Sequence, residues 1–326
     1  MQKEALFAFV NILGSSNSSL AIRRLAYMTI HGAKPGPVVW LTGCAHGDEV
    51  GGMVVIQEIF KKLQRESLLK GSLFAFPPMN PLGFETISRN VSFTNEDLNR
   101  SFPGDKDGSL AQRIAFTIFS EITKTQPAIV LDLHNDWIKS IPYTLLDAYP
   151  GVKHKEAYEK AKQLAHETGF LVVQEDAKAK DALDLEKTLS GSLLRHDIPA
   201  LTLELGEAYV VNEMHVQAGV RAILNILLFL GMLDARQHTF MSSSSESFQN
   251  KELRYSDHPV SSESGIVRFL VKPGDIVHKG NPIARIYNVF GKLQETLQSQ
   301  EDGVILGTSD SSVALPGIPV AAFGIM

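Results

Sequence analysis

The stretch PVVWLTGCAHGDEVGGMVVIQEIFKKL, Pro37 to Leu63, decides the fold. It opens on a short apolar run, PVVWLTGCA, that ends in small residues as a buried strand does. A turn follows, and then a segment in which Val50, Val54, Ile56, Ile59, Phe60 and Leu63 recur near helical spacing. The alternation continues downstream. SLFAFPPMN (Ser72 to Asn80) is strand-like and closes on a double proline. Leu110 to Ile122 reads as a helix with Ser109 as its N-cap. AIVLDLH (Ala128 to His134) is a buried strand, Lys153 to Thr168 an amphipathic helix ended by Gly169, IPALTLELG (Ile198 to Gly206) a further buried strand, and Glu213 to Leu233 a long helix. Apolar strands alternating with helices predict an α/β fold with a mixed central sheet flanked by helices on both faces.

The pattern does not run to the end of the chain. At about 150 residues per domain, 326 residues suggest two domains or one large and one small. Residues 1–235 are expected to form the α/β domain, a serine-rich stretch at 236–252 a linker, and 253–326 a small all-β domain. In that last part Gly265, Gly274, Gly280, Gly291, Gly303, Gly307 and Gly317 punctuate short Val/Ile/Leu runs with no helical period, as in a set of hairpins.

Composition narrows the function. Hydrophobic residues at 44% and charged residues at 21% supply a core of ordinary size and exclude disorder over most of the chain. A net charge of −5 argues against nucleic-acid binding, which needs a basic stripe to release counterions. The single cysteine, Cys44, excludes an internal disulfide and a thiolate cluster, so a metal site must use His and carboxylates. Cys44 itself reads as a small buried residue. The N-terminal apolar stretch is preceded by Glu4 and interrupted by Asn11, which favours a strand over a signal peptide. Ile223 to Leu233 is too short for a bilayer, which needs about 20 apolar residues, and reads as a buried helix end. The expectation is a soluble cytoplasmic protein with no membrane partner; homo-oligomerisation is left open.

Four motifs carry chemistry. In GCAHGDE (Gly43 to Glu49), His46 and Glu49 lie three apart between a strand and a helix, where their side chains can converge, and imidazole nitrogen with carboxylate oxygen suits Zn²⁺. In LDLHND (Leu131 to Asp136), His134 ends a central strand, where ligands of open α/β sheets bind, and Asp132 two residues earlier could orient it. In LTLELGE (Leu201 to Glu207), Glu204 ends another buried strand, and a desolvated glutamate beside a metal-activated water suits a general base. Finally, SRNVSFTNEDLNRSFPG (Ser88 to Gly104) is a polar loop whose Arg89, Arg100, Asn90 and Asn99 suit a carboxylate fork. Each has a plainer alternative: a helix start capped by Asp48, a hydrogen-bonded strand-end histidine, an arginine-paired glutamate, a solvated loop.

Together, HGDE at His46–Glu49, RN and DLNRSFPG across Arg89–Gly104, DLH at Asp132–His134 and Glu204 resemble, in order and approximate separation, the succinylglutamate desuccinylase/aspartoacylase family, relatives of the zinc carboxypeptidases. The resemblance spans Pro37 to Leu233. It implies one Zn²⁺ held by His46, Glu49 and His134, Glu204 as general base, Asn99 and Arg100 on the substrate's α-carboxylate, and Arg89 polarising the scissile carbonyl. Arg89 stands farther from the DLNR motif than in the desuccinylase and aspartoacylase members. The implied activity is hydrolysis of the amide bond of a small N-acyl amino acid. A carboxypeptidase-type peptidase with the same site, and a non-catalytic metal-stabilised binding protein, are the alternatives. SGIVRFLVKPGDIVHKGNPIARI (Ser264 to Ile286) is similar to half of a biotinyl/lipoyl-type barrel-sandwich hybrid. Lys292, in its NVFGKLQ tip, lacks the flanks of a modified lysine, so a structural or site-covering role is expected.

Overall fold

The structure is a computed structural model, and it describes residues 6–11, 24–175, 182–236, 238–240 and 251–326. Among the described residues the α/β part has nine strands: β1 (Leu6–Asn11), β2 (Arg24–His31), β3 (Lys34–Gly43), β4 (Lys70–Phe76), β5 (Ile129–Asp136), β6 (Lys139–Ser140), β7 (Pro142–Leu146), β8 (Leu171–Gln174) and β9 (Ala200–Glu207). Its helices are α1 (Gly51–Arg65), α2 (Pro81–Thr86), α3 (Leu110–Lys124), α4 (Lys155–Glu167), α5 (Ala182–Leu185), α6 (Leu189–Leu194) and α7 (Glu213–Phe229). Strands β10 (Glu252–Ser256), β11 (Gly265–Phe269), β12 (Ile276–Val277), β13 (Pro282–Tyr287), β14 (Leu293–Gln298), β15 (Gly303–Thr308), β16 (Val313–Ala314) and β17 (Ala321–Ile325) complete the chain.

The mixed sheet flanked by helices is present. Its centre is parallel: β3 pairs β4 on one side and β5 on the other, and β5 pairs β9. Strand alternation then sorts the side chains. Leu131 and Leu133 of β5, and Leu201, Leu203 and Leu205 of β9, pack into the core beneath α1, α4 and α7. The intervening residues, Asp132 and His134 on β5 and Thr202 and Glu204 on β9, therefore face the side covered by α3 and α6. That side's core, around Trp40, Phe76, Val130, Ile114 and Ile118, stops short of the strands' C-terminal ends. Two periodicities thus deliver four polar side chains to one uncovered corner.

Several elements match their sequence signals in detail. Ser109 caps α3 in a full capping box with Gln112. The strand expected over Ser72–Asn80 stops at Phe76, and Asn80 instead caps α2 by accepting from Gly83 N–H at 2.9 Å. The last helix ends at Phe229, and Gly231 takes the left-handed turn (φ 65°) that closes it. The short elements β7, β8, α5 and α6 carried no sequence signal strong enough to be named.

The serine-rich part of the expected linker, residues 241–250, lies outside the described residues. Beyond it the chain returns to the first sheet: β10 pairs β8 in parallel, β17 pairs β10, β15 pairs β17, β12 pairs β15, and β6 also joins β15. The result is one 13-stranded sheet, with a second sheet of four strands in the order β14-β13-β11-β16 packed over its far end. The hairpin tip at Asn288–Lys292 is exposed, with Gly291 at φ 76°. Among the described residues no helix is long and apolar enough to cross a membrane.

Candidate active site

The turn after β3 brings the first two candidate ligands inward. Gly47 makes this possible: a Cβ there would lie 1.9 Å from the Gly83 carbonyl carbon, so the turn can pass α2 only without a side chain. His46 and Glu49 are consequently buried at 3% and 4% exposure, and His134 arrives from the end of β5 at 3%. One ligand atom from each lies within 4.8 Å of the others. His46 Nδ1 is 2.5 Å from Glu49 Oε1, and His134 Nδ1 is 2.8 Å from Glu49 Oε2. The three donors thus converge on one point from two distant stretches of sequence, and they form a donor set suited to a divalent ion.

The far side of each imidazole is held by a carboxylate. His134 Nε2 contacts Asp132 Oδ2 at 3.0 Å, and Asp132 Oδ1 accepts from the Thr42 hydroxyl at 2.7 Å. His46 Nε2 contacts Asp97 Oδ1 at 3.1 Å. Such carboxylates fix the ring orientation and leave Nδ1 to face the centre. Burial works against charge on both rings, but Asp132 and Glu49 hold His134 well above the ordinary imidazole value, and Glu49 and Asp97 raise His46. A divalent ion held by His46, Glu49 and His134 would take the place of those protons. Glu49 Oε2 also accepts from Asn135 N–H at 3.1 Å.

Glu204 stands beside His134 in register on the next strand. Its Oε2 is buried with no hydrogen-bond partner among the described residues. Burial, with Asp136 adding its charge, pushes the Glu204 carboxyl well above the usual range. Asp136 is itself pushed up to about 6 by burial, although the Tyr143 hydroxyl donates to its Oδ2 at 3.0 Å.

The polar loop contributes as placed by its motif. Asn99 Nδ2 lies 3.3 Å from His134 Nε2, while its Oδ1 accepts from Leu189 N–H at 2.9 Å. Arg100 donates to Asn99 O at 2.9 Å. Arg89 reaches Asp97 Oδ2 at 3.2 Å and Glu49 Oε1 at 3.5 Å, with half its side chain exposed. All seven candidate residues therefore line one cavity, of 570 Å³. Cys44 is fully buried, and burial pushes its thiol up to about 12, as for a small core residue.

The sequence reading did not single out Asp97, Tyr143, Asp147, Glu175, Tyr255 or Asp310, all at or near the cavity. Asp97 had a usable signal, since it opens the DLNR motif. The others arrive from separate elements, and Tyr255 and Asp310 come from the C-terminal part. Asp310 Oδ1 accepts from Ile138 N–H at 2.5 Å, which joins that part to the loop after β5.

Comparison with known proteins agrees with this fold. The chain is 27% identical to the N-alpha-acetyl-L-2,4-diaminobutyric acid deacetylase of Halomonas elongata over 281 residues, 83% of this chain and 77% of that protein. The product-bound ectoine utilization protein EutE (DoeB) of Ruegeria pomeroyi superposes with a TM-score of 0.81 at 19% identity, covering 100% of this chain and 97% of that one. A metallo-carboxypeptidase of Burkholderia cenocepacia shares the fold more loosely, with a TM-score of 0.53 at 16% identity over 69% of this chain and 64% of that one. Residues 35–230 match the model of the succinylglutamate desuccinylase/aspartoacylase catalytic domain, and the chain belongs to that family of deacylating hydrolases.

Proposed function

We propose that the chain hydrolyses the amide bond of a small N-acyl amino acid, using Zn²⁺ held by His46, Glu49 and His134. The observation that carries this reading is the convergence of those three buried donors beside a glutamate whose Oε2 has no partner. The Halomonas relative, named as a deacetylase of an N-acetylated amino acid, supports it. When bound, zinc supplies Lewis acidity: it polarises a carbonyl and lowers the pKa of water.

The chain's own residues do the rest. Glu204 takes a proton from the attacking water and passes it to the departing amine nitrogen; the burial that raises its carboxyl makes it the stronger base. Arg100 and the donor end of Asn99 hold the free carboxylate, so the amide is presented in one orientation and less entropy is lost on reaching the transition state. Arg89 swings from its exposed contacts with Asp97 and Glu49 to the developing oxyanion.

The test is amine release from N-acetyl, N-succinyl and N-formyl amino acids, alongside peptides with a free C-terminus. Glu204→Gln should retain its metal and lose about 10²- to 10⁴-fold in kcat. Near-wild-type turnover in that variant would sink the base assignment, and cleavage of peptides alone would favour a peptidase.

A further inference from the structure

The amide bond of an N-acyl amino acid is trans, so the acyl group and the carbon bearing the carboxylate leave it on opposite sides. If Asn99 and Arg100 hold the carboxylate, the acyl group is directed toward the other end of the cavity. Asn99 meets His134 at Nε2, the edge turned away from Glu49. Tyr209 stands on the Glu49 side. Its N–H donates to Asp48 O at 3.0 Å, and Asp48 directly precedes Glu49, whose carboxylate meets Nδ1 of both imidazoles. Trp137 and Ala208 line the cavity with Tyr209. They follow Asp136 and Glu207, which are partners in register at the ends of β5 and β9.

This wall continues out of the cavity as an apolar ridge. Tyr209, Val210 and Val211 are consecutive and are 53%, 52% and 44% exposed, and Met214 beyond them is exposed as well. Such a run is out of place on a solvated loop and marks a surface that meets an apolar ligand or partner; its continuity with the cavity selects a ligand. The ridge is held firmly. Tyr209 is tied to Asp48, and Asn212 accepts from Met214 N–H at 3.0 Å and donates to Glu207 Oε2 at 3.2 Å. Tyr209 also takes φ 64°, in the left-handed region that favours glycine, yet half of its side chain is in water, so packing alone does not account for a large ring there. Val210 borders a shallow dent against α7 whose lining includes Leu205 and Val216. Asp48, Asp136 and Asp310 line the same end of the cavity, where a second carboxylate on the acyl group would be repelled.

We propose that Trp137, Ala208, Tyr209 and the Val210–Val211 ridge form the acyl subsite, and that it takes a linear apolar acyl group long enough to leave the cavity and lie along the ridge. The preferred substrates are then N-hexanoyl and N-octanoyl amino acids. An acetyl group leaves the ridge unused, and a succinyl group meets the acidic end. This rests on the deacylase reading above.

The experiment compares kcat/KM for the acetyl, butanoyl, hexanoyl and octanoyl derivatives of one set of amino acids. The octanoyl substrate should exceed the acetyl one by about tenfold or more. That ratio should fall to within about threefold in the double variant Val210→Ser with Val211→Ser, and in Tyr209→Gly, mainly through KM, because the contact is remote from the reacting atoms. A wild-type ratio near one, or a ratio that survives both changes, overturns the proposal; using a ratio cancels general damage to a variant. A double variant that keeps its ratio but elutes as a smaller species assigns the ridge to a second copy and overturns it too. If no N-acyl amino acid of any chain length is cleaved, the deacylase reading itself fails. Calorimetric binding of N-octanoylglycine and N-acetylglycine to wild type and the double variant then decides the subsite: a preference for the octanoyl chain that the variant loses supports it, and equal or absent binding ends it.

Discussion

Two regions meet at the cavity and were built in different ways. The candidate catalytic corner lies at the C-terminal ends of β3, β5 and β9 and in the polar loop before α3, and most of its residues neighbour their helpers in sequence: His46 with Glu49, His134 with Asp132, Asn99 with Arg100. The opposite wall, around Asp147, Glu175, Tyr255 and Asp310, takes one residue from each of four separate places, including the C-terminal strands. Ligand chemistry that works over a few residues leaves a motif. Walls assembled by topology do not.

That contrast can be broken. The largest effect should come from the late wall: Leu253 of β10 is 1% exposed against Val173 and Val304, and Leu253→Ala should cost about 2–5 kcal/mol. Because Tyr255 follows two residues on, kcat/KM should fall with stability; a thermal melt that does not move would show that β10 is not integral to the sheet. On the catalytic side, Asp132→Ala removes the carboxylate that orients His134 and should weaken metal affinity by about 10- to 100-fold in chelator competition. Unchanged affinity would separate His134 from the metal.

Smaller effects sharpen the comparison through pH. Asp147 has a folded value raised to about 6, so folding favours its protonated form. Its stabilising contribution is complete below the unfolded value and is lost as pH rises through the folded one. Asp147→Asn should therefore melt higher than wild type at pH 8, by on the order of 1 kcal/mol, and match it near pH 4. Glu252 runs the other way. Against the effect of burial, hydrogen bonds from Lys162 at 2.8 Å and His166 at 3.1 Å hold it below the usual range. Its contribution is present above the unfolded value and lost as pH falls through the folded one, so Glu252→Gln should cost about 0.5 kcal/mol at pH 7 and nothing at low pH. Opposite pH signs measured in urea unfolding would confirm that the two acids sit in opposite environments.

How much could be read in advance follows from the same difference. The strands around Val39, Leu131 and Leu203 are rich in buried apolar residues and long enough to declare themselves, and the helices between them have clean periods. Period-two alternation then sends His134 and Glu204 to one face without further information. Strands β7 and β8 have only five and four residues, and PYTLL and LVVQ lack the length for a period. Their neighbours α5 and α6 are single turns whose place depends on partners far away, such as Asn99 on Leu189. Arg89 was legible as a polar loop residue, but its contact with Glu49 depends on the fold of α2 and its turn. The C-terminal hairpins were visible from their glycines, whereas parallel pairing of β10 with β8 is a contact between segments some 80 positions apart that no local pattern encodes.

The hydrogen bond from Ile138 N–H to Asp310 links residues 172 positions apart in the chain. During synthesis His46, Glu49 and His134 leave the ribosome long before Tyr255 and Asp310, so the cavity wall that those two supply is absent while the first three donors are already out. That wall can close only once β10 has docked against β8 and β17 against β10.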